Sequence, residues 1–287
     1  MRTVRRTAVA LLATAAAMIS LPLTAVAAPV SDAGPWTLRA WTVRAEDFTD
    51  QGLAVVTGPG GVTSLLTRGD DSIPPALAAQ GWRHVGDPDA RAGYVLDAYQ
   101  GAASMTSKLF VLTAPDGRTV YLRHSLVPGE QYHNSFAAIS PDGRWFVSGE
   151  WGTMRRLLVF AMPSAQVSGT VPLPLAGVIR LDRPVRDVQG CAFTTPTALA
   201  CSTNDPGRSL FGVPRQLLAV HLTHGVRAGS TPGSVTLLGP IPTVASCGGA
   251  EEVEGIDVHG GRLLVSVVTS CTRTTTIFEY VREGSRG

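Results

Sequence analysis

The sequence predicts an all-β chain folded as a single β-propeller, and three observations carry that expectation. A polar residue leading into a short apolar strand recurs in "DQGLAVV" from Asp50, "HNSFAAIS" from His133, "VQGCAFTT" from Val188 and "VEGIDVHG" from Val253. Several copies continue through a tight turn into further strands, so the repeated unit is a meander. Helical signals are nearly absent, while 31 glycines and 20 prolines punctuate the chain with turns. Short strands with regular turns are compatible with a sandwich, a barrel or a propeller, and repetition of a three- to four-stranded meander decides for the propeller.

Read in order, the chain opens with a secretory signal. Arg2, Arg5 and Arg6 precede an apolar run from Ala8 to Ala25, and Ala25-Val26-Ala27 supplies small residues for cleavage after Ala27. The run is alanine-rich and leads directly into the cleavage site, which argues against a membrane anchor, and no cysteine nearby could carry a lipid. The organisation expected is a signal peptide over 1–27, a flexible mature N-terminus over 28–35 and a propeller domain over 36–287, in a secreted, extracellular monomer.

Charge then excludes a class of partners. Removing the signal takes three arginines from the 24 basic residues and leaves 21 against 22 acidic ones. A mature chain so close to neutral has no field to steer it toward nucleic acid or an anionic membrane.

"TLRAWTVR" at Thr37–Arg44 alternates like a strand. A propeller must close its ring, and this segment is expected to pair with Ile277–Val281 of the last unit. Only "IPPALAAQGW" at Ile73 reads as a short helix. A unit beginning near Trp82 has strands in "GYVLDAY", "KLFVLTAPDG" and "TVYLRHSL". The clearest unit runs from His133 to Met162, turning at Pro141-Asp142-Gly143 and continuing through Trp145–Ser148 to "RRLLVFAM". The same order recurs as "GCAFTTPTALACSTND…RQLLAVHL" and "GIDVHGGRLLVSVVTSC…TTIFEYV". Fourth strands are expected in "GTVPLPL" at Gly169 and "SVTLLGPI" at Ser234.

Four cysteines, Cys191, Cys201, Cys247 and Cys271, lie in the C-terminal third. An even count in an exported chain favours disulfides. A hairpin turning at Thr195-Pro196-Thr197 puts Cys191 opposite Cys201, leaving Cys247 for Cys271. No C-x-x-C spacing supports a zinc site instead.

The "ISPDGRWFVSG" and "EGIDVHGGRLLVS" segments resemble blades of secreted bacterial β-propellers of the broad NHL-like and YncE-like kind. The likeness extends over most of the mature chain from Gln51 onward. It implies the fold and no particular activity, since that group hosts binding proteins, scaffolds and unrelated enzymes.

Blade starts are read at Gln51, His84, Asn134, Gln189 and Glu254, which gives five blades. The short first interval leaves six compatible. Innermost strands run along the central channel, so these residues are expected to gather at one mouth with His133, Asp87, Glu150 and Asn204. Such a concave polar spot is where a small molecule, a carbohydrate or a protein would bind. The same residues could equally be satisfied by neighbouring backbone or channel water. Two sharper alternatives stand beside binding. A ring of amide and carboxylate oxygens suits Ca²⁺, although His84 fits it poorly. Alternatively His84 and Glu254 could act as acid and base in a hydrolase or lyase. G-x-S-x-G, H-E-x-x-H and phosphate-cradling loops are missing. Trp82, Trp145 and Trp151 read as packing residues before sugar platforms.

Overall fold

The computed structural model describes residues 35–45, 51–131, 136–164, 167–242, 251–270 and 274–282. The signal segment, His133, Asn134, Cys247 and Cys271 lie outside them, so the expected Cys247–Cys271 bridge does too.

The described chain is all-β. In order it forms β1 (Trp36–Ala45), β2 (Gly52–Thr57), β3 (Thr63–Arg68), the one-turn helix α1 (Pro75–Ala78), β4 (Trp82–Val85), β5 (Asp89–Arg91) and β6 (Tyr94–Gly101). Then come β7 (Ser107–Thr113), β8 (Thr119–Ser125), β9 (Ala138–Ile139), β10 (Trp145–Ser148), β11 (Thr153–Ala161), β12 (Gly169–Pro172) and β13 (Gly177–Arg186). The rest are β14 (Val188–Thr195), β15 (Ala198–Asn204), β16 (Arg215–Leu222), β17 (Gly229–Pro240), β18 (Glu251–His259), β19 (Arg262–Thr269) and β20 (Thr274–Arg282). No helix among the described residues is long and apolar enough to cross a membrane.

Consecutive antiparallel strands build meanders: β6-β7-β8, β9-β10-β11, β14-β15-β16 and β18-β19-β20. The innermost strands touch in a closed cycle, β2 against β5, β5 against β9, β9 against β14, β14 against β18, and β18 back against β2. That cycle around an axis makes the fold a β-propeller.

Burial explains why the sequence alternates so weakly inside the strands. A blade has neighbours on both faces, so both sets of side chains must be apolar. In β11, Leu157 and Val159 pack toward the β14–β17 meander, whereas Leu158 and Phe160 pack toward the β6–β8 meander. The same division separates Val147 from Phe146 in β10 and Leu218 from Leu217 in β16. The core is therefore a series of slabs between blades. One slab is centred on Phe110, Phe146 and Phe160, whose ring centroids lie 4.9 to 5.5 Å apart, a spacing at which aromatic pairs attract beyond their buried area.

The N-terminal strand closes the ring as expected. β1 pairs antiparallel with β20, with Thr37 opposite Val281 and Thr42 opposite Ile277. Trp36 is 4% exposed in the slab holding Phe278 and Tyr280, which stabilises the seam by about 2 kcal/mol or more.

Local expectations also hold at the Pro141-Asp142-Gly143 turn, where Gly143 takes φ +67° and the Ser140 hydroxyl caps Asp142 and Trp145. Cys191 and Cys201 face each other across β14 and β15 and form a disulfide.

One strand departs from its expected place. "GTVPLPL" does not complete its own meander: β12 adds in parallel to β8 of the preceding one, with Leu173 N–H donating to Arg123 O. The edge of β11 is taken by the longer β13. Val171, Leu173 and Leu175 then cover the phenylalanine slab, an apolar surface that the short β12 could not reach from β11. Further along, β13 and β17 pair in parallel, so two meanders share one sheet.

Candidate functional site

The shared motif conceals a second regularity. Gln51, Gln189 and Glu254 are each followed by glycine, and those glycines surround one buried carboxylate. A Cβ on Gly190 would stand 2.1 Å from Asp87 Oδ2, one on Gly255 2.8 Å from Asp87 Oδ1, and one on Gly52 2.5 Å from Asp87 Cα. Asp87 is fully buried. Its carboxylate accepts the N–H of Leu53 from β2 and of Ile256 from β18, each at 3.1 Å. Its carbonyl accepts the N–H of Ala137, next to β9. Asp87 thus ties the inner segments together at the axis. Burial pushes its carboxyl well above the ordinary range, against the two backbone donors that pull it down.

This geometry relocates the blade start read at His84. That residue lies on β4, opposite Gln100 of β6, whereas the chain reaches the ring at Asp87 and continues as β5. The physical reason is room: where other copies have glycine, this one carries the side chain for which the glycines leave space. His84 Nδ1 is 3.0 Å from Asp70 Oδ1, on the partly exposed rim. Glu254 lies instead on the inner strand β18, buried.

Of the other expected site residues, Asn204 and Glu150 make bonds within the fold. The Asn204 side chain donates to Val253 O and accepts from Val253 N–H, both at 3.1 Å, clamping β15 to β18. Glu150 is buried and accepts from Arg156 through both carboxylate oxygens, at 2.6 and 2.8 Å. Gln189 and Glu254 are buried beside their glycines, and Gln51 is half-buried, its N–H donating to Arg68 O.

Behind Glu150 lies a buried ionic network. Lys108 Nζ is 3.1 Å from Glu130 Oε1 and donates to Gly149 O. His124 places Nε2 2.9 Å from Glu130 Oε2 and Nδ1 3.0 Å from Leu173 O. Both ring nitrogens face acceptors. Burial raises the Glu130 carboxyl, but the His124 hydrogen bond and the Lys108 charge outweigh it and hold it at about 2. Burial lowers the Lys108 ammonium.

Two residues beyond Asp87, on β5, the axis carries a constellation that the sequence reading passed over. Asp89 of β5 and Asp257 of β18 line one enclosed cavity of about 30 Å³, with Val55, Arg91, Phe193 and His259 around it. Asp89 accepts the N–H groups of Ala90 and Ile139. Asp257 accepts those of Val55 and Val258, both at 2.6 Å. Burial, then the charge of Asp257, pushes the Asp89 carboxyl up to about 8, and burial raises Asp257 as well. Each carboxyl makes the other's ionisation costlier, so both are held toward the protonated form. The cavity meets a groove of about 300 Å³ at Val55 and His259, and another of about 250 Å³ at Arg91. The available signal was an acid within an apolar inner strand, as in "EGIDV" and "GDPD". Among the described residues no group of three or more His, Cys, Asp or Glu side chains is arranged to hold a metal.

No protein-family profile matches the chain, and no curated protein matches its sequence. Solved structures show distant likenesses. The β-propeller domain of Cps50 (Swd1) from Myceliophteria thermophila is 17% identical with a TM-score of 0.33; the match covers 77% of this chain and 62% of that one. The chain thus spans under two thirds of that domain's length. The GH43_1 enzyme from Xanthomonas citri is 10% identical with a TM-score of 0.42, covering 88% and 90%. A DUF4623 family protein from Bacteroides eggerthii is 12% identical with a TM-score of 0.35, covering 86% and 76%. At these values none carries an argument about activity.

Proposed function

We propose that this chain is an exported binding module that takes a hydroxyl-bearing small ligand, of the carbohydrate or polyol class, at the axial cavity of Asp89 and Asp257. The observation that carries the reading is the pair itself: two buried carboxyls lining one small cavity, with the Arg91 guanidinium beside them. That set offers carboxylate acceptors, a carboxyl donor in Asp89 and the Arg91 guanidinium, which is what a hydroxyl group engages. A cavity of about 30 Å³ admits a group or two of water size, so it receives one hydroxyl or hydroxymethyl while the rest of the ligand lies in the adjoining grooves. Ca²⁺ fits less well, because it takes roughly six to eight oxygens and Arg91 already offsets part of the negative charge. The Cys191–Cys201 disulfide agrees with an oxidising compartment.

The experiment is calorimetric titration of the mature chain with a panel of monosaccharides and polyols, and with CaCl₂, repeated on Asp257→Asn. The reading expects a sugar to bind and the variant to weaken it at least tenfold with folding intact by circular dichroism. Binding of Ca²⁺ alone would replace it with a metal site. Sugar binding unchanged in the variant would move the site off the axis.

A further inference from the structure

β11 and β13 set like charges face to face. Arg156 stands directly opposite Arg180 in the register, and beyond the bulge Thr153 stands opposite Arg186. Like charges opposite each other on adjacent strands destabilise a sheet, so the arrangement calls for compensation. Glu150 supplies part of it by gripping Arg156 with both oxygens, and the Gln131 N–H donates to the same carboxylate at 2.8 Å. Arg156 is therefore held in place, by Glu150 and by the Gly129 carbonyl at 3.3 Å. Arg155 and Arg180 are exposed and make no ion pair among the described residues.

Three guanidiniums and one carboxylate face a groove of about 530 Å³, whose remaining walls include Gln131, Thr153 and Val178. That leaves about two positive charges uncompensated beside a space much larger than the axial cavity. Guanidinium forks match the two oxygens of a carboxylate, sulfate or phosphate, and they do so with direction as well as charge. Over the whole mature chain basic and acidic residues nearly balance, 21 against 22, so the attraction is local and short-ranged.

We propose that this groove is a binding site for an oxyanion, a carboxylate, sulfate or phosphate group, either free or carried by an anionic glycan. Arg180 and Arg155 contact the anion, and Glu150 acts through Arg156, orienting its fork toward the groove. The site lies on the β11–β13 sheet and does not depend on the axial reading.

The test is titration of the mature chain with inorganic phosphate, with an oligogalacturonate, and with a neutral oligosaccharide of equal length, at low and raised ionic strength. Arg180→Glu is compared with Arg118→Glu, an exposed arginine in the turn between β7 and β8 that pairs with Asp116. The expected result is anion binding that weakens with salt, falls at least tenfold in Arg180→Glu, and persists in Arg118→Glu. Because Arg180→Glu removes a like-charge pair, its melting temperature should stay level or rise, which separates lost binding from lost folding. Oligogalacturonate binding at least tenfold tighter than phosphate assigns the groove to a glycan, and equal binding assigns it to a free anion. Absence of binding by either anion, equal binding of the neutral oligosaccharide, or equal losses in the two variants overturns the proposal.

Discussion

Replacing Gly190 with alanine tests the axial assembly at its tightest point. The added methyl would lie 2.1 Å from Asp87 Oδ2 and 2.9 Å from Ile256 Cγ2, well inside contact distance, and neither neighbour is a flexible side-chain end. Overpacking of this kind costs about 1–3 kcal/mol. Moving the carboxylate also stretches its bonds from Leu53 and Ile256 N–H, each contributing about 1 kcal/mol net. The expected loss is about 3–5 kcal/mol, or a melting point lower by roughly 10 °C for a chain of this size. Gly207→Ala is the matched control, because nothing lies within 4 Å of its added methyl. Thermal denaturation followed by circular dichroism measures both. A double variant with Asp87→Ala sharpens the result: the carboxylate removed makes room for the methyl, so the two losses should fall short of adding by about 1 kcal/mol or more. Equal melting points for Gly190→Ala and Gly207→Ala would refute the claim that the glycines exist to admit Asp87.

Two further outcomes are expected. Asp89, raised to about 8 in the folded state, keeps a proton that the unfolded chain has lost above about pH 4. Its contribution is therefore complete below about pH 4 and declines as pH rises toward 8; melting points measured from pH 5 to 8 should fall, and Asp89→Asn should flatten the slope. Lys108→Met leaves the Glu130 carboxylate buried without its ammonium, a break that costs about 3–5 kcal/mol; a urea midpoint unchanged within error would remove the buried network from the stability of the fold.

How much of this was legible in the sequence varies by element. The closing strand was readable because "TLRAWTVR" has a period of two and no other unit lacked a partner. Cys191 and Cys201 were readable because a hairpin fixes which residues face each other. The ring itself was readable from the repeated motif, but its centre was not. The glycines after Gln51, Gln189 and Glu254 acquire their meaning only from Asp87, which lies as many as 168 residues from them in sequence, the separation to Gly255. His84 looked like the missing copy because the gap from Gln51 to Asn134 was too long for one unit and His84 was a polar residue inside it, although the first interval came out short; no local rule says that the second unit inserts a side chain where glycines elsewhere leave a gap. β12 was misplaced for a related reason: parallel pairing to a preceding unit leaves no turn signal behind. Asp89 and Asp257 were in plain view, yet inner strands with one acid each read as ordinary alternation until the fold brings β5 and β18 to one cavity.

The seam between β1 and β20 has a mechanical consequence. Trp36 pairs with Arg282, and Ala45 with Thr274 at the far end, so the chain enters β1 and leaves β20 at the same end of the ladder. Tension applied through those two points would load the Trp36–Arg282 rung first and then each rung in succession. The strands would peel like a zip, one pair of bonds at a time, instead of resisting together in shear. A propeller that is hard to melt as a whole would then open at low force along this one line, with Trp36 withdrawn from its slab as the first step.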